Sequence, residues 1–329
     1  MLRSETAASP ERMERALRGL RAYQEAERSE VAAPMPALAE RYGAALRDYG
    51  GSGPAVLFVP SLINPPNILD LGPDKSLLRW LAARGHRVLL LDWGWDVAAR
   101  TGLSVAGHVE EILVPLAASL DEPPALAGYC LGGTMAIAAA PLVGAPGVAA
   151  IAAPWHFAGF PDDARRLLAS LWSSAKGASG RLGMLPMEAL QSAFWSLDPA
   201  RTVSKFERFA DLEPGSIEAK AFVTMEDWAN DGPPVPHAAA AELFERFFAG
   251  DLPGSGAWRV GGRIADPGAC PLLNIVSASD RIVPAASATS AGERLELALG
   301  HVGMVVGGRA RESLWEPLDR WLSRPRPSC

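Results

Sequence analysis

Short apolar runs of strand length recur along the chain, separated by stretches of helical period and by glycine- and proline-rich breaks. Ala55 to Val59 (AVLFV), entered through Gly50-Gly51-Ser52-Gly53-Pro54, and Arg87 to Asp92 (RVLLLD) flank a helical stretch at 76–84. That order predicts a strand, helix, strand unit with parallel pairing. It continues with a helix over about 105–120, a strand at 125–129, a helix at 131–142 and a strand at 148–152. Alternation of this kind predicts an α/β architecture, a mostly parallel doubly wound sheet with helices on both faces. Pro123 to Pro161 contains no Lys, Arg, Asp or Glu, but Gly132, Gly133, Pro141, Gly144, Pro146 and Pro154 cut it into pieces too short to span a bilayer. It reads as sheet core, and no transmembrane segment is expected.

From 154 to 268 the alternation stops. Aromatic residues (Trp155, Phe157, Phe160, Trp172, Phe194, Trp195, Trp228, Phe244) and proline turns predict an inserted cap. The core pattern resumes with strands at 272–276 and 295–299 and a closing helix at about 309–322. The expected organisation is an N-terminal helical segment over 1–45, a core over 46–153 and 269–329, and a cap or lid over 154–268. A charged helix is expected from Pro10 to about Glu30, packed on the protein or docked on a partner.

Composition narrows the function classes. The chain has 329 residues, 49% of them hydrophobic, enough for a large core. Its 31 basic and 37 acidic residues form no long like-charge block, which gives no footprint for nucleic acid. Three cysteines, Cys130, Cys270 and Cys329, are an odd count far apart, which suits a reducing compartment rather than a disulfide framework. The N-terminus has no apolar secretion core, so a cytoplasmic location is expected. No metal or nucleotide motif is present, and no cofactor is expected.

Candidate chemistry lies where strand meets helix. Gly128-Tyr129-Cys130-Leu131-Gly132-Gly133 follows an apolar strand and opens an Ala-rich stretch, the setting of a nucleophile elbow in an α/β-hydrolase fold. The elbow places the Cys130 sulfur at the positive end of a helix dipole and aims the Leu131 N–H at a developing oxyanion. A second oxyanion donor is expected from the loop after an earlier strand, at Ile63. In this fold an acid and then a histidine follow, each beyond a later strand. Asp280 and His301 occupy those places. Each also has a plain structural reading, Cys130 as a buried cysteine, Asp280 as a helix cap and His301 as a loop histidine; their joint order favours the triad. His86, His108 and Asp92 read as structural, and His237 as cap lining.

These residues carry a resemblance. VPSLINPPNILDL (59–71), SLLRWLAARGHRVLLLDWG (76–94), GYCLGGT (128–134), EDWANDG, WRVGGRIADPGACPLLNI, SASDRIVP (277–284) and GHVGMVVGG (300–308) resemble, in order, segments of polyhydroxyalkanoate (PHA) synthases, especially the short class that works with a partner subunit. The resemblance implies Cys130 as nucleophile, Asp280 as acid, His301 as base, and Leu131 with Ile63 as oxyanion hole. Trp155, His156, Trp228 and Asp231 are the expected substrate-binding residues. It further implies transfer of 3-hydroxyacyl groups from CoA thioesters to a hydroxyl acceptor, with the polyester chain as second substrate, a second synthase subunit or homodimer as partner, and the granule surface as a working location. The chain departs from the pattern at Asn64-Pro65-Pro66-Asn67, where synthases carry lysine and tyrosine, and at Arg281, where they carry histidine. Alternatives left open are a thioesterase, esterase or polyester depolymerase using the same triad, and a non-catalytic granule-associated subunit.

Overall fold

The structure is a computed structural model that describes residues 2–28, 33–325 and 329. Two compact units are present, one of residues 34–185 and 233–329, the other of 1–33 and 186–232.

The larger unit is built on an eight-stranded sheet: β1 (Ala37–Arg41), β2 (Ala44–Asp48), β3 (Ala55–Val59), β4 (Arg87–Asp92), β5 (Ala125–Tyr129), β6 (Val148–Ile151), β7 (Leu272–Ser277) and β8 (Glu293–Leu297). The spatial order is β1-β2-β4-β3-β5-β6-β7-β8. From β4 to β8 all pairing is parallel, while β1, β2 and β4 pair antiparallel. Every residue of β5, β6 and β7 is buried, which is why these strands read as mainly apolar runs without alternation, Asn274 and Ser277 being buried polar residues of β7. Edge strand β8 carries Glu293, Arg294 and Glu296 exposed, charges that discourage further pairing.

Several sequence expectations are corrected. Residues 37–48 form the β1–β2 hairpin instead of extending a helical N-terminal segment to 45; Tyr42 turns the chain at φ 51°, and the partner of β2 is the distant β4. The last strand is 293–297 rather than 295–299, and between Asp280 and it lies a single 3-10 turn, Ala285–Ser287, rather than a full helix. Cys270 and Cys329 form a disulfide with Cα atoms 4.9 Å apart, against the expectation of three free thiols. The Cys329 N–H donates to the Ala145 carbonyl at 3.1 Å, so the chain end returns to the strand-entry side of the sheet, beside Cys270.

The smaller unit contains helices Pro10–Glu25, Met187–Leu197, Pro199–Phe209 and Ile217–Asn230. The first begins at a Ser9 cap, with Pro10 in its first turn. It ends before Glu30, which lies outside the described residues, as does the side chain of Phe194. Within this unit Tyr23 packs on Phe206 and Phe222 and donates its hydroxyl to Asp227 at 2.6 Å. Residues 186–232 thus group with the N-terminal helix, whereas 154–185 and 233–268 remain with the sheet. No helix among the described residues is long and apolar enough to cross a membrane.

Candidate active site

Strand β5 ends at Tyr129 and the helix Leu131–Val143 begins one residue after Cys130, so the cysteine sits in the tight turn between them with φ 56° and ψ −130°. A non-glycine residue in that region is strained, and the turn holds because glycines let the two elements close on it. A Cβ on Gly128 would lie 2.4 Å from the Gly132 carbonyl oxygen, and one on Gly132 would lie 2.0 Å from the Val59 oxygen and 2.5 Å from the Pro60 oxygen. The elbow therefore presses against the end of β3, and the loop after β3 is brought alongside the nucleophile.

Asp280 lies beyond β7 with its side chain fully buried. Its Oδ1 accepts the Ile282 and Val283 N–H groups at 2.8 and 2.9 Å, while Oδ2 accepts from Nδ1 of His301 at 2.6 Å. The aspartate caps no helix, since the 3-10 turn Ala285–Ser287 starts from Pro284 without a side-chain cap; Oδ1 closes a local turn while Oδ2 holds the histidine. With Nδ1 donating to Asp280, the Nε2 edge of His301 is left for Cys130. His301 is 7% exposed. Burial alone would lower its pKa, but the hydrogen bonds to Asp280 and Cys130 and the charges of both outweigh it and hold the imidazolium well above the usual histidine range. Cys130 is partly exposed and is the free thiol among the described cysteines.

The remaining sequence-predicted residues fall in different settings. Leu131 is the first residue of its helix, so its N–H has no acceptor within the helix. The Ile63 N–H donates to Ser61 Oγ at 3.1 Å, which gives this amide a partner within its own loop. Trp155 is 3% exposed and packs edge-on against Trp258, a core position. The N–H groups of Trp155 and His156 both donate to the Ser287 carbonyl, at 2.7 and 2.8 Å. Trp228 and Asp231 belong to the smaller unit, at the end of Ile217–Asn230. His86 bonds Asp319 at 2.8 Å, Asp92 pairs with Arg47 at 3.1 Å, and His237 meets Ser179 Oγ at 3.0 Å.

Sequence reasoning passed over Tyr129. Its ring stacks on His301 with centroids 4.9 Å apart and planes at 28°, and its hydroxyl donates to the His301 carbonyl at 3.2 Å. An aromatic between the elbow glycine and the nucleophile was visible in the sequence; the direction of its ring was not. Ser277, whose hydroxyl donates to the Leu299 carbonyl and accepts the Leu299 N–H at 3.3 Å, likewise holds the histidine loop.

No family model matches the chain. It is 27% identical over 286 residues to the poly(3-hydroxyalkanoate) polymerase subunit PhaC of Haloferax mediterranei, covering 82% of this chain and 58% of that protein. It is 27% identical over 289 residues to the subunit of the same name from Allochromatium vinosum, covering 82% of this chain and 80% of the relative. Among solved structures, the putative non-heme bromoperoxidase BpoC of Mycobacterium tuberculosis superposes with a TM-score of 0.56 at 16% identity, covering 89% of this chain and all of that one, a likeness of fold alone. Along most of its length the chain is thus similar to poly(3-hydroxyalkanoate) polymerase subunits, and its fold is of the α/β-hydrolase kind.

Proposed function

We propose that the protein is a PHA synthase-type acyltransferase that forms a polyester from 3-hydroxyacyl-CoA through an acyl-Cys130 intermediate. The observation that carries the reading is the buried Asp280–His301 pair, hydrogen-bonded to an elbow cysteine, in a chain with kinship to PHA polymerase subunits over 82% of its length. With the thiol proton already held on His301 Nε2, the Cys130 thiolate attacks the thioester carbonyl, and the imidazolium then gives that proton to the departing CoA sulfur. The Leu131 N–H, with the Ile63 N–H once turned from Ser61, faces the oxyanion. A hydroxyl of a second unit or chain end then attacks acyl-Cys130, gives its proton to His301, and the cysteine sulfur recovers that proton as it leaves. A thioester spent on an oxoester runs downhill, which suits a cysteine nucleophile to polymer growth.

In this reading Trp155 and His156 shape the acyl side. A second synthase subunit or a second copy of the chain completes the working enzyme, which acts in the cytoplasm at the granule surface. The test is purified protein with 3-hydroxybutyryl-CoA, following CoA release and product size together, beside Cys130→Ala. CoA release with oligomeric ester, lost in the variant, is expected. Monomeric acid as the sole product would replace synthesis by hydrolysis, and absence of release with or without added partner subunit would point to a non-catalytic role.

A further inference from the structure

The histidine loop has to reach the nucleophile from the edge of the sheet. His301 follows β8, the edge strand, whereas Cys130 follows β5, with β6 and β7 between them. Three strand spacings amount to roughly 14 Å, which the segment after β8 crosses at the carboxyl ends of the strands. A loop of this kind, containing Gly300 and Gly303, does not hold an imidazole in one orientation by its own backbone. Asp280 fixes one edge of the ring, and Ser277 fixes the start of the loop at Leu299. Neither bears on the ring face, and neither holds the backbone of His301 itself.

We propose that Tyr129 is the positioning residue that registers His301 against Cys130; the proposal rests on the reading of His301 as the base. Tyr129 is the last residue of β5 and is covalently next to the nucleophile, so whatever it holds is held in register with the sulfur. It is 3% exposed, its ring stacks against the imidazole at 4.9 Å, and its hydroxyl donates to the His301 backbone carbonyl at 3.2 Å. The two contacts act on different parts of the histidine: one limits rotation of the ring, the other pins the backbone that carries it. Burial holds the phenol far above its ordinary pKa, so it stays protonated and a donor throughout the working range. Because Tyr129 lies behind the histidine, its loss acts on the chemical step rather than on substrate binding.

The experiment compares Tyr129→Leu, Tyr129→Phe and His301→Ala in the full chain, with two readouts. The first is kcat and KM for CoA release from 3-hydroxybutyryl-CoA. The second is the rate of Cys130 alkylation by iodoacetamide at pH 7, which needs no substrate and reports one thiol because Cys270 and Cys329 are bonded to each other. Tyr129→Leu is expected to lower kcat by about a hundredfold with KM within about twofold of wild type, and to slow alkylation, as displacement of a catalytic group by about an ångström does. Tyr129→Phe keeps the stacked ring and is expected to recover to within about tenfold of wild type. A folded Tyr129→Leu protein with wild-type kcat and alkylation rate would overturn the proposal. Should that variant not fold, Tyr129→Met, unbranched and closer in length, removes the ring in its place. His301→Ala separates the two levels: unchanged alkylation there removes His301 as the base, whereas slowed alkylation there with wild-type behaviour in Tyr129→Leu removes the role of Tyr129 alone.

Discussion

His108 and His301 are both buried histidines, and their surroundings push them in opposite directions. His301 faces a carboxylate, and its charged form is favoured. His108 is fully buried, donates through Nδ1 to the Ser104 carbonyl at 2.7 Å, lies edge-on to Trp93, and leaves Nε2 without a hydrogen-bond partner. Burial, reinforced by the nearby Arg100 charge, lowers its pKa to about 4, so it is neutral at pH 7. The sign of the consequence follows from the unfolded chain, whose histidine titrates near 6.5. Above that pH neither state takes a proton at this site and the native stability is whole. Between about 6.5 and 4 the unfolded chain binds a proton that the folded one refuses, so stability falls with falling pH by up to about 3 kcal/mol from this residue. Urea titrations of wild type and His108→Leu across that range test this, since leucine keeps the apolar contact, and the residue 108 N–H still satisfies the Ser104 carbonyl. The variant is expected to show the shallower loss; parallel curves would refute a neutral buried His108.

At the scale of elements, the sheet was legible wherever burial acts on both faces of a strand. Runs such as AVLFV and RVLLLD mark β3 and β4 residue for residue, because a strand covered on both sides has no polar alternation to blur its ends. The β1–β2 hairpin was not legible: ALAERYGAALRD has helix-forming composition, and what makes β2 a strand is its ladder with β4, a contact between distant segments. The elbow was legible because its glycines are a steric necessity, and this gives a sharp expectation. A methyl group on Gly132 would collide with backbone oxygens of Val59 and Pro60, which cannot swing aside as a side chain does. Gly132→Ala is expected to cost at least about 2 kcal/mol and to push the oxyanion loop away from Cys130. Gly300, next in sequence to His301, meets nothing within 4 Å of a built Cβ, so Gly300→Ala should stay within about 0.5 kcal/mol of wild type. Thermal melts of the pair check the contrast, and equal losses would mean that proximity to the triad, not the collision, sets the cost.

On the scale of the whole molecule, the placing of Cys130, Asp280 and His301 could be read from the chain because each follows a strand. The long-range closure of the chain could not. Cys270 and Cys329 are 59 positions apart, and nothing local to either marks a partner; only the return of the chain end to Ala145 brings them together. Cross-linking removes freedom from the unfolded chain, by about 4 kcal/mol for a loop of this length in the chain-entropy model. Cys270 immediately precedes Pro271 and β7, at the end of that strand away from Asp280, so the bridge fastens the strand-entry end of the sheet, opposite the end that carries Asp280. Its loss is therefore expected to lower the melting temperature and leave the Asp280–His301 pair in place. Thiol titration of the denatured protein should find one thiol without reductant and three with it. Cys270→Ser should melt lower than wild type while retaining the Cys130 alkylation rate at 25 °C. Three titratable thiols in unreduced protein purified from an oxidising buffer would show that the bridge does not form, and a Cys270→Ser variant slow to alkylate would show that the strand-entry end of β7 governs the position of Asp280 after all.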